Sequence, residues 1–145
     1  MTTKATFSCR IGTTDPSAQL GMEIWLDDEK IFDQEHVKET QQITGEFLDD
    51  NADHSIKFVL KNKTDQHTQI DESGAIISDA CLTVDNPAFD DIELGHMFVE
   101  QTVYEHNFNG TQPTTQQGFY GVMGCNGTVT MEFSTPIYLW LLENM

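Results

Sequence analysis

Apolar residues recur at every second position through several short stretches of this chain, and that period decides what it can build. Leu20, Met22, Ile24 and Leu26 alternate with Gly21, Glu23 and Trp25; Ile56, Phe58 and Leu60 alternate with Lys57 and Val59; Val129, Met131 and Phe133 alternate with Thr130 and Glu132. A period of two sends successive side chains to opposite faces, so each stretch reads as a strand with one buried face. Asp27-Asp28-Glu29-Lys30 ahead of Ile31-Phe32 predicts a hairpin. Asp71-Glu72-Ser73-Gly74 predicts a turn before strands at Ile76-Ile77 and Ala80 to Val84. Asn126-Gly127 is the residue pair favoured in the tight turn that matches strand twist. A two-residue loop there pairs Gly124 with Val129, Val122 with Met131 and Tyr120 with Phe133, and puts the apolar residues on one face. Helical periodicity is weak. Val37 to Ile43 lacks a clean 3.6-residue period, and the apolar run Ile137 to Leu142 after Pro136 fits either a buried strand or a helical turn, closing the core or docking a partner. No boundary or fixed-period repeat divides the chain. The expected architecture is all-β: one antiparallel β-sandwich, jelly-roll-like, spanning residues 1–145.

Charge narrows the partners. No Lys or Arg follows Lys63, whereas that stretch holds 12 of the 24 Asp and Glu residues, and the formal net charge is −17. Such a surface repels phosphate backbones and anionic lipids, which argues against nucleic-acid and membrane-surface functions. It admits protein partners, a second copy of the chain among them, and neutral carbohydrate or cations; salt is expected to stabilise it. The N-terminal residues lack an apolar core segment, so no secretory signal is expected. No apolar run is long enough to span a bilayer. Cys9, Cys81 and Cys125 are odd in number and form no C-x-x-C pair; three buried thiols in a reducing compartment are expected rather than one disulfide with a thiol left over. Asn62-Lys63-Thr64, Asn109-Gly110-Thr111 and Asn126-Gly127-Thr128 match a glycosylation pattern but read as turns.

Catalytic signatures are missing: no G-x-S-x-G, no phosphate loop and no H-E-x-x-H occurs, so the chain is expected not to be an enzyme. Asp49-Asp50-Asn51-Ala52-Asp53 has the opening spacing of a calcium loop. His54 stands where an EF-hand needs Gly, and Leu60 where it needs an acid, so that reading fails. A looser calcium site could draw on Asp27 and Asp28 together with Asp49, Asp50 and Asp53, against the plainer reading of solvated acidic turns. For sugar stacking the candidates are Trp25, out of phase with its strand's apolar set, and Tyr104, His106 and Tyr120, which flank the polar, uncharged loop from Thr111 to Gly118. Packing in the core is the competing assignment for those rings.

Two resemblances add to this. The blocks Phe119 to Thr128 and Thr135 to Asn144, with Tyr104 to Gly110 and Ile92-Glu93-Leu94, resemble uncharacterised proteins of marine T4-like cyanophages. That likeness implies a viral accessory structural or adhesion protein in a virion or in infected-host cytoplasm. The layout of a strand ending at Leu26-Asp27-Asp28, a strand from His54 to Leu60, then an acidic turn and further strands is similar to calcium-dependent xylan-binding modules. These are jelly-roll sandwiches that hold sugar hydroxyls on a calcium ion, so the likeness implies carbohydrate binding and calcium as cofactor. The cysteines and ligands of those modules have no counterparts here residue by residue. A rival expectation is an acidic host-takeover protein that mimics nucleic acid.

Overall fold

The computed structural model describes residues 3–64, 68–70, 72–107 and 112–145. Two antiparallel sheets face each other. One is five-stranded, with β12 (Val122–Met123), β8 (Leu82–Phe89), β1 (Thr3–Thr13) and β4 (Gln41–Asp49) in that spatial order and β9 (Ile92–Glu93) also on β8. The other is six-stranded, in the order β11 (Thr115–Gln117), β10 (Thr102–His106), β13 (Gly127–Ser134), β5 (Asp53–Lys61), β2 (Gly21–Leu26) and β3 (Glu29–Gln34). A separate two-stranded ribbon joins β6 (Thr68–Ile70) to β7 (Ile76–Asp79). The expected sandwich is therefore the observed one.

Alternation makes the core. β2, β5 and β13 turn Met22, Ile24, Ile56, Phe58, Val129 and Met131 inward, each fully buried. From the other sheet β1 contributes Ala5, Phe7, Cys9 and Ile11, and β8 contributes Leu82, Val84 and Phe89. Burying such side chains contributes roughly 1.5–3 kcal/mol each. At one end the rings form a cluster around Phe89, whose centroid lies 5.4 Å from Phe7, 5.6 Å from Phe47, 4.8 Å from Phe133 and 5.7 Å from Trp140. Most of these pairs meet edge to face or tilted, the arrangement the ring quadrupole prefers.

The C-terminal apolar run is a helix, α2 (Ile137–Asn144), following a cis Thr135–Pro136 peptide. Ile137, Trp140 and Leu141 share its buried stripe, while Tyr138, Leu139 and Leu142 are exposed. Spacings of three and four decide for helix over strand once the core is there to receive that stripe. A short helix, α1 (His96–Gln101), precedes β10 and was not marked by any sequence pattern. β1, β4 and β10 likewise lie outside the stretches singled out by alternation.

One expectation is overturned. Asn126-Gly127 does not close a hairpin: β12 pairs with β8 in the five-stranded sheet, and β13 pairs with β10 and β5 in the six-stranded one. Neither residue takes the positive φ that the tight turn requires. Asn126 instead uses its side-chain amide as a surrogate peptide, accepting from Lys63 N at 2.9 Å and donating to Lys63 O at 2.8 Å. Gly127 is needed for proximity, because a Cβ there would collide with the Glu105 carbonyl and the Cβ of His106. The segment thus crosses from one sheet to the other.

Candidate functional site

The outer face of the six-stranded sheet carries the polar half of the alternation, and strand register arranges it in rows. Val103 faces Thr130, Thr130 faces Lys57, and Lys57 faces Trp25, so one row crosses four strands. The adjacent row runs Gln116, Glu105, Thr128, Val59 and Glu23. A third places Glu132 beside Ser55. Three depressions lie along these rows. The one of about 660 Å³ is bounded by Gln101, Val103, Glu105, Gln116, Thr128, Thr130, Lys57 and Glu132. Trp25, Asp27, Asp28, Lys57, Val59 and Thr128 line one of about 320 Å³. Asp27, Asp53, Ser55, Glu132, Ser134 and Trp140 contribute to one of about 470 Å³. Shared walls at Lys57, Thr128, Glu132 and Asp27 make the three a continuous groove across the strands.

Trp25 is half-buried. Its indole N–H donates to Glu23 Oε1 at 3.0 Å, and the Lys30 ammonium sits 5.6 Å from the ring centre. A cation over an indole face is attracted by the ring's quadrupole. The indole is thereby held in one orientation on the sheet surface. Nearby, Lys61 binds Glu23, Asp33 and Glu35 at 3.2, 2.7 and 3.1 Å, and the Asp33 bond is the main cause that raises its pKa.

His54 closes the end of the groove. Asp27 takes a left-handed backbone (φ 55°) in the β2–β3 turn, pairs its N–H with Ser55 O, and accepts the Ser55 N–H on Oδ1. Its other oxygen lies 2.7 Å from His54 Nδ1, and Asp50 Oδ1 lies 2.8 Å from His54 Nε2. Both ring nitrogens therefore donate, and the imidazolium form fits best. The ring stacks on Phe133 at 5.7 Å, with its side chain 8% exposed. Burial pulls the imidazolium pKa down, but the bonds to Asp27 and Asp50 outweigh it and the net shift is upward. The His54 bond in turn holds Asp50 below the ordinary carboxylate value. A folded-state pKa above the unfolded one gives stabilisation that is complete below the unfolded value near 6.5 and lost as pH climbs through the folded value. The unfolding midpoint of the wild type minus that of His54→Gln should thus be largest near pH 6 and shrink by pH 9; a difference constant across that range would discard the charged form.

The structure joins some of the expected residues and separates others. Trp25, Asp27 and Asp28 line one depression, and Asp27 and Asp53 another. Asp50 reaches the cluster through His54. Asp49 lies instead at the end of β4 opposite Thr3. Tyr104 and His106 are 3% and 5% exposed, so neither offers a ring face to solvent. The Tyr104 hydroxyl is committed to the Cys125 backbone, donating to its carbonyl and accepting its N–H at 2.9 Å. Tyr120 is 78% exposed, but it adjoins β12 of the other sheet. Phe108 to Gly110, and Thr111 at the start of the polar loop, lie outside the described residues. Among the described residues no group of three or more His, Cys, Asp or Glu is placed to hold a metal ion. Asp27 and Asp50 are turned onto protein donors, and calcium seeks six to eight oxygens; this donor set does not fit the ion as it stands. The groove residues Lys57, Thr128, Thr130, Glu132 and Gln116 belong to no sequence motif that marks a binding site. Their signal was the polar half of the β5 and β13 alternation, which identifies a face but not a site. No helix among the described residues is long and apolar enough to cross a membrane.

No family model matches the sequence, and no curated protein matches it significantly. Among solved structures, the selenomethionine form of vCBM60, described in connection with a circular permutation linking two families of calcium-dependent carbohydrate-binding modules, superposes with a TM-score of 0.55 at 12% identity over 88% of this chain and 89% of that one. vCBM60 in complex with galactobiose gives a TM-score of 0.51 at 12% identity over 87% and 96%. Identity that low speaks for architecture: this chain shares the β-sandwich fold of those two structures.

Proposed function

We propose that the chain is a non-catalytic carbohydrate-binding module that takes a neutral glycan across the outer face of its six-stranded sheet. In this reading it serves as an accessory structural or adhesion component of a virus particle. The observation that carries the binding role is the continuous groove, in which Thr128, Thr130, Gln116, Lys57 and Glu132 supply donors and acceptors and Trp25 supplies an apolar ring at one end. Sugars need both, hydroxyl partners for orientation and a ring face for contact. The adhesion role rests on the likeness of the C-terminal blocks to cyanophage proteins. Carboxylates along the groove disfavour polyuronates.

Affinity electrophoresis against neutral polysaccharides, followed by calorimetry with oligosaccharides including galactobiose, tests the reading. Trp25→Ala should weaken binding about tenfold, the equivalent of roughly 1.4 kcal/mol for one lost ring contact. Unchanged affinity in that variant, or no retardation of the wild type by any neutral glycan, would refute the groove.

A second reading keeps calcium, supported by the fold shared with calcium-dependent carbohydrate-binding modules; the carboxylates it would have to recruit are Asp27 and Asp50, both bonded to His54. The ion would displace His54 from both. Millimolar calcium should then raise the unfolding midpoint and EDTA abolish glycan binding; indifference to both leaves the calcium-free groove.

A further inference from the structure

Outside the groove, the segments carrying two cysteines are drawn together by one buried lysine. The Lys63 side chain is 1% exposed, and its ammonium bonds Asp79 Oδ1 at 2.5 Å, Ala80 O at 2.7 Å and Gly124 O at 2.5 Å. Ala80 and Gly124 immediately precede Cys81 and Cys125, so one ammonium holds both cysteine-bearing peptides. Strand register says the same. Leu82 faces Met123 in the β8–β12 pair, and the next step outward brings Cys81 to Gly124. A Cβ placed on Gly124 would lie 3.6 Å from Cys81 Sγ, so that sulfur leans over the residue adjoining Cys125. Tyr104 pins the Cys125 backbone from the other side. Both thiols are free and partly exposed, whereas Cys9 is completely buried.

We propose that Cys81 and Cys125 form a reversible disulfide that staples the start of β8 in one sheet to the start of β13 in the other. With a disulfide oxidant such as oxidised glutathione, one cysteine thiolate attacks a glutathione sulfur. The glutathione S–S bond breaks and one glutathione thiolate leaves. The second cysteine thiolate then attacks the protein sulfur of the mixed disulfide, forming the Cys81–Cys125 bond and expelling the second glutathione. The two cysteine protons end on the two glutathione thiolates, and two electrons pass to the oxidant. Burial raises both thiols above their ordinary pKa, with Lys63 opposing and Asp79 reinforcing the shift, so attack is slow at neutral pH and faster in mild alkali. Cys9, pushed up to about 12 by burial and then Asp85, takes no part.

The test treats reduced, folded protein with oxidised glutathione at pH 8.5 and alkylates what remains. Because no Lys or Arg follows Lys63, an acid-specific protease is needed: Asp79, Asp85, Glu105 and Glu132 place the two cysteines on separate peptides. Expected are a chain lighter by two hydrogens, one Cys81–Cys125 linked peptide, alkylation of Cys9 only after unfolding, and an unfolding midpoint that rises on oxidation and falls back with reductant. Cys9→Ala should behave identically, and Cys81→Ser and Cys125→Ser should each stop at the mixed glutathione disulfide. Two alkylated thiols at Cys81 and Cys125 after oxidation, a link through Cys9, or a link formed only in denaturant would overturn the proposal.

Discussion

Replacing Lys63 with Met is expected to lower the unfolding free energy by about 3 kcal/mol or more, the scale seen when one partner of a buried ion pair is removed. Methionine keeps the apolar stem and deletes the ammonium. Asp79 then loses its cation, and the carbonyls of Ala80 and Gly124 lose their donor in a place where the lysine side chain is 1% exposed. An unsatisfied buried polar group costs about 1–3 kcal/mol, which is why the loss should exceed that of any single hydrogen bond. Urea titration measures it: the midpoint should fall with the slope unchanged. A loss under about 1 kcal/mol would mean that the crossing segments hold together without the ammonium. The same titration on Lys61→Met provides the contrast. Lys61 makes three ion pairs, but at a more exposed position, so its loss should be smaller.

Phe89→Ala should be as damaging for a different reason. Phe89 touches Phe7, Phe47, Phe133 and Trp140 and is fully buried. Deleting the ring opens a cavity where both sheets and α2 meet, and large-to-small changes at such positions cost about 3–5 kcal/mol. For a chain of this size the melting temperature should fall on the order of 10 °C. Phe89→Leu, which leaves a smaller void, should recover more than half of the loss. If calorimetry found the two variants equal, the aromatic arrangement rather than packed volume would be the source of stability.

The sandwich was legible because one-sided burial writes itself into a strand as alternation, and β2, β5 and β13 carry that pattern cleanly. α2 was half legible: its composition announced burial, but only the core it meets distinguishes a stripe of Ile137, Trp140 and Leu141 from a continuous strand. The Asn126-Gly127 turn misled because local preference competes with tertiary demand. Clasping the Lys63 backbone occupies the Asn126 side chain and commits the chain to a crossing. His54 was illegible as a site residue since its partners lie 4 and 27 positions away, on different turns. The groove escaped for a similar reason: it exists only when β10, β13, β5 and β2 stand side by side in register.

The distribution of amines has a practical bearing on how this protein can be handled. Lys30 and Lys61 flank the indole-bearing strand, and Lys57 lies in the groove itself. Coupling through primary amines to a sensor chip or resin would turn the outer face of the six-stranded sheet, the proposed glycan face, against the support and mask it. Immobilisation through an affinity tag instead of these amines keeps Lys57 and its neighbours unmodified for surface-based affinity measurements.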